Sequence, residues 1–87
     1  MDTDKIIDDL VENLAAIEHA RWSHWQRYLH GKCLPQSDGS LLIPADLVER
    51  WQRQMETPFE KLAEAEKESD RKQVQKYLPI IKAALRR

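Results

Sequence analysis

Eighty-seven residues, with 14 Lys plus Arg against 15 Asp plus Glu and a formal charge of −1, make one domain's worth of chain, enough for a single modest core and too little for a catalytic unit beside a regulatory one. The near balance of charge gives no electrostatic footprint for nucleic acid or an anionic membrane, and no apolar run approaches the roughly 20 residues that a bilayer-spanning helix needs. The acidic start Met1-Asp2-Thr3-Asp4 is the reverse of a signal peptide's basic beginning and the lone Cys33 cannot make an internal disulfide, so a cytoplasmic protein is expected.

From Asp4 to about His30 there is no Gly or Pro, and Ile7, Leu10, Leu14, Ile17, Trp25 and Tyr28 recur at the three-and-four spacing of one helical face. The pattern predicts one long helix, started by the side chain of Thr3 or Asp4 and closed by Gly31 in the left-handed conformation. Residues 31–43 change character. Cys33-Leu34-Pro35, the turn sequence Ser37-Asp38-Gly39-Ser40 and the apolar run Leu41-Leu42-Ile43 fit a short β-hairpin near residues 33–43, which is too small to stand alone and would have to lie against helices.

Pro44 suits a first helical turn, and Leu47, Val48, Trp51 and Met55 then define a second amphipathic helix ending near Glu56. Thr57-Pro58-Phe59-Glu60 has the form of a capping box followed by a short turn through Leu62. From Ala63 the chain is helix-favouring, with Glu64, Glu66 and Glu68 early and Arg71, Lys72 and Lys76 later, the order that complements the helix dipole. Pro79 predicts a kink or restart before the tail from Lys82 to Arg87. With no internal repeat, residues 1–87 read as one mainly α domain of three to four helices.

Taking about 100° per residue, Ile7, Leu10, Leu14, Ile17, Arg21, Trp25 and Tyr28 share a sector of roughly 80°, while His19, Trp22 and Gln26 form a second stripe about 100–160° away. Trp25 is therefore expected in the core. Two readings of Trp22 stand: packing against the last helix with His19 as an ordinary boundary residue, or an exposed shelf edged by His19 and the Gln26 amide on which a planar ligand stacks. Glu18 and Arg21 fall on the apolar side, where a charge needs a partner.

The sequence offers little to catalysis or metal. His19, His24, His30 and Cys33 lie within fifteen residues, but His19 and His30 are about 16 Å apart along a helix and His24 points elsewhere, so they cannot share one ion. There is no nucleophile elbow, Gly-rich phosphate loop or paired acidic motif, and the Glu run at 64–68 reads as a solvated helix face. Neither an enzyme nor a cofactor is expected.

Two segments together resemble the ryanodine-receptor-repeat (RyR) domain family. Glu18-His19-Ala20-Arg21-Trp22 is similar to the family's Glu-His-x-Arg-Trp or His-Glu-x-Trp start, and Pro58-Phe59-Glu60-Lys61-Leu62-Ala63-Glu64-Ala65-Glu66-Lys67-Glu68-Ser69-Asp70-Arg71 to its Pro-Tyr-x-x-Leu-x-Glu-x-Glu-Lys-x-x-Asp-Arg. Between Leu29 and Thr57 the family's Gly-Trp-x-Tyr-Gly and Lys-x-His-Pro have no counterpart, and its usual basic residue four after the Trp is Gln26 here. The resemblance implies a small bacterial or phage-type non-catalytic helical unit that binds a nucleotide or nucleotide-derived signal through His19 and Trp22. It further implies pairing into a homodimer or other homo-oligomer, and makes Asp70, next to Arg71, the partner of Arg21 in a structural bridge. The alternative is a protein-interaction or assembly adaptor working through Trp51, Met55 and the 41–43 segment.

Overall fold

The computed structural model describes residues 2–86. The chain is mainly helical, with elements in the order α1 (Thr3–Asp8), α2 (Val11–Lys32), β1 (Leu34–Pro35), β2 (Leu41–Leu42), α3 (Ala45–Glu56), a 3-10 turn (Phe59–Lys61) and α4 (Glu64–Leu85). A mainly helical domain with a short hairpin is what the sequence leads one to expect.

The first helix is two helices, not one. Asp2, rather than Thr3 or Asp4, accepts the backbone N–H of Asp4 at 3.0 Å and starts α1. The chain then tightens at Asp9–Leu10, where the Leu10 N–H reaches the Ile7 carbonyl at 3.0 Å. Successive carboxylates at Asp8 and Asp9 oppose the dipole at a helix C-terminus and compete for backbone groups, which favours ending the helix there. The turn also sends Leu10, 4% exposed, into the interior beside α4.

At the other end of α2, Gly31 is an ordinary helical residue and the helix runs on to Lys32, the Cys33 N–H closing it on the His30 carbonyl. The left-handed glycine is Gly39, at φ 91, in the hairpin turn. There the Asp38 carboxylate accepts both the backbone N–H and the hydroxyl of Ser40, at 2.9 and 2.6 Å, and holds the turn closed. The antiparallel register pairs Leu34 with Leu42 and Pro35 with Leu41.

The expected Thr57 capping box does not form. The Thr57 hydroxyl donates backwards to the Arg53 carbonyl at 2.6 Å, finishing α3, and Pro58 leads into the 3-10 turn. Of the kink or restart expected at Pro79, the restart does not occur, since α4 passes through it. One lost N–H is tolerable inside a helix whose neighbouring turns remain bonded and whose far end is anchored, here by Ala84, 2% exposed.

The arrangement is flat and open. α4 packs along α1 and α2, the molecule measures 56 × 34 × 16 Å, and its radius of gyration is 17.6 Å, against about 12 Å for a compact domain of this length. Among the described residues only Leu10, Cys33 and Ala84 are buried.

Candidate functional site

The C-terminal half of the predicted core stripe of α2 is not covered by core. Arg21, Trp25 and Tyr28, at i, i+4 and i+7, form one ridge, and with His24 they make one wall of a cleft of about 450 Å³. Arg50, Trp51 and Gln54 of α3 form a second wall, and Glu66, Ser69, Asp70 and Gln73 of α4 a third. Trp25, expected in the core, is 43% exposed at this cleft. Trp51 of α3 meets the indole by its edge, and the rest of the ring's cleft-facing surface stays open.

The aromatic rings of the cleft are ordered against one another. Trp25 stacks on Tyr28 with centroids 5.4 Å apart and planes 25° from parallel, and meets Trp51 edge-on at 5.9 Å and 65°. Both geometries suit the ring quadrupole. Lys32 lies 5.5 Å from the Tyr28 centroid and adds a cation–π contact at the end of the ridge.

Charges divide across the cleft. Arg21 and Arg50 stand on the α2 and α3 walls, Glu66 and Asp70 on the α4 wall. The expected Arg21–Asp70 bridge is not among the ion pairs of the described residues. Instead the Arg21 guanidinium donates to the Glu18 carboxylate one turn back, and the Tyr77 hydroxyl donates to the same carboxylate at 2.5 Å. Hydrogen bonds from Arg21 first and Tyr77 second hold the Glu18 carboxyl down at about 2, and the Glu18 bond raises Arg21 above its already high ordinary value. With 43% and 52% of their side chains exposed, Arg21 and Glu18 stay in water, and no buried charge demands a distant partner. Arg71 turns along its own helix to Glu64 at 2.7 Å and Glu68 at 3.4 Å. The side chains of Arg50 and Asp70 have no ion-pair partner among the described residues.

His19 and Trp22, read as ligand-facing, do come together, stacked with centroids 6.1 Å apart and planes 21° from parallel, and Trp22 is 55% exposed. Gln26 is half-buried. These three lie outside the cleft, on the other stripe of α2. The α3 wall is what the sequence reading left out: Trp51 carried an apolar-face signal, but nothing in the pattern says that Arg50 and Trp51 face Trp25.

Among the described residues no group of three His, Cys, Asp or Glu is placed to hold a metal ion, and no helix is long and apolar enough to cross a membrane. Comparison of the chain with family models, curated proteins and solved structures finds no match.

Proposed function

We propose that this chain is a non-catalytic binding module, acting as a homo-oligomer, whose cleft between α2, α3 and α4 takes a nucleotide or nucleotide-derived small molecule. The observation that carries the reading is the meeting of Trp25 and Trp51 from different helices between a basic and an acidic wall. A nucleotide has the matching parts: a planar base to lie against the rings, an anionic phosphate for the unpaired Arg50, and amino or hydroxyl donors for Asp70. The resemblance of the 18–22 and 58–71 segments to RyR-type modules supports the same ligand class.

The stacked His19–Trp22 pair is the rival surface for that ligand, since it is flat, exposed and aromatic. Thermal-shift and calorimetric titration with a panel of mono-, di- and cyclic nucleotides separates the two. The cleft reading expects a ligand-dependent rise in melting temperature that survives Trp22→Ala and disappears in Trp51→Ala. Loss in Trp22→Ala with retention in Trp51→Ala places the ligand on the His19 side, and no shift with any nucleotide removes the reading.

A second reading, an assembly adaptor, is favoured by the exposed apolar residues of the hairpin and α3, Met55 being 77% exposed. It expects tight binding to a macromolecule that Trp51→Ala or Met55→Glu abolishes while Trp22→Ala leaves it intact.

A further inference from the structure

The hairpin has no polar face. Residues opposite one another in an antiparallel pair project to the same side, so Leu34 and Leu42 lie on one face and Pro35 and Leu41 on the other. A strand pair apolar on both sides is the pattern of one covered on both sides, and two strands of two residues are not stable uncovered. Yet Leu34, Leu41 and Leu42 are 52%, 40% and 55% exposed, and Ile43, which follows them, is 41% exposed. Next in the chain, Val48 and Met55 lie seven residues apart on one ridge of α3, at 45% and 77% exposed. Trp51 lies between them on the same face of α3, half-buried like Leu47 and Gln54, so the exposed pair forms the edge of that face.

The missing cover has a measurable size. A folded monomer of this mass exposes roughly 5,350 Å²; the chain exposes 7153 Å². The excess of about 1,800 Å² per chain includes the open cleft, so the roughly 3,600 Å² for two chains is an upper bound, with room for the ~2,000 Å² at which obligate homodimer interfaces begin. Shape agrees with area. A chain of 56 × 34 × 16 Å with a radius of gyration of 17.6 Å is far more open than a compact domain of this length, at about 12 Å. With a net charge of −1, two copies meet without a like-charge barrier.

We infer that the hairpin and the Val48–Met55 ridge of α3 form an isologous interface with a second copy of this chain, which covers the apolar surface that one chain leaves open. The dimer is obligate, so folding and association occur together. The inference rests on the homo-oligomer part of the function proposed above and is independent of any ligand.

Sedimentation velocity and native mass spectrometry of the purified full chain, without added nucleotide, test it from about 1 to 200 µM. The expected species has twice the 10.3 kDa chain mass, and its helical signal melts at a temperature that climbs as concentration rises. Leu42→Glu and Met55→Glu should each shift the population to a less helical monomer. A cooperatively melting wild-type monomer whose midpoint does not change with concentration overturns the inference. So does a wild-type assembly of any other mass, or a dimer that both variants leave intact. The wild-type measurements decide even if a variant fails to fold, and nucleotide binding plays no part in the readout.

Discussion

The hydroxyl of Tyr77 donates to the carboxylate of Glu18 at 2.5 Å across 59 residues of sequence. It is a polar tie between α2 and α4, and the same carboxylate receives Arg21, so one acidic side chain serves an intrahelical pair and an interhelical bond. Tyr77→Phe removes the tie while keeping the ring. Because the pair is exposed and screened, the expected result is a small fall in thermal midpoint, weaker than that of truncating Leu10, and further reduced at high salt. A midpoint equal to that of the unaltered chain in low salt would show that the bond contributes nothing.

The same carboxyl sets a pH dependence. Its ordinary value of 4.5 is brought down to about 2 by Arg21 and Tyr77, so the folded state binds the proton less tightly than the unfolded state. Its stabilising contribution is complete above about 4.5 and is lost as pH falls towards 2. Glu18→Gln should therefore melt below the unaltered chain at pH 6, and the gap should narrow between pH 4.5 and 2. A gap that stays constant across that interval assigns the loss to packing instead of charge.

How far the sequence could be read depends on which residues one asks about. Helix positions, the hairpin and the stacking of His19 on Trp22 follow from spacing, because neighbours within a helix are fixed by its pitch. Arg21, read as needing a distant acidic partner, is satisfied three residues away at Glu18, and spacing alone cannot say which of two reachable carboxylates is taken. Trp25 is harder still. Periodicity places it on the apolar face, but whether that face meets a filled core or an open cleft depends on how far α3 and α4 stand apart, which no local pattern encodes. The break at Asp9 was legible in principle, since two acids in a row at that point resist a continuous helix.

Leu10 marks the corner between α1 and α2 and is one of the few buried side chains among the described residues, at 4% exposed. Leu10→Ala should cost about 2–3 kcal/mol, which for a chain of this size lowers the midpoint by roughly 10–20 °C. Denaturation of both proteins at one fixed concentration measures it, and a loss below about 0.5 kcal/mol would mean that the α1–α4 contact contributes little.

The two glycines separate by conformation. Gly31 lies inside α2 with open space around the position of an added Cβ, whereas Gly39 sits at φ 91. Gly31→Ala should stabilise by about 1 kcal/mol through the helix's preference for Ala. Gly39→Ala should destabilise by about 1–2 kcal/mol through left-handed strain. Had Gly31 been the left-handed cap expected from its place after His30, its substitution would have the opposite sign, so a single pair of melts decides between the two descriptions.

The cleft proposal makes a prediction that total loss of binding cannot supply, because Arg50 and Asp70 are assigned to opposite ends of one ligand. A charge-assisted hydrogen bond to phosphate contributes on the order of 10–100-fold in affinity. Arg50→Ala should therefore weaken a nucleoside monophosphate by that factor and leave the corresponding nucleoside unchanged. Asp70→Asn keeps the side chain's shape but exchanges an acceptor for a donor on one arm, and should weaken nucleoside and nucleotide alike. Calorimetric titration of the two ligands against the two variants gives four ratios. Equal losses for both ligands in Arg50→Ala would show that Arg50 supports the fold of α3 rather than reading phosphate, whereas the unequal pattern arises only if the basic wall meets the anionic end while the rings of Trp25 and Trp51 hold the base.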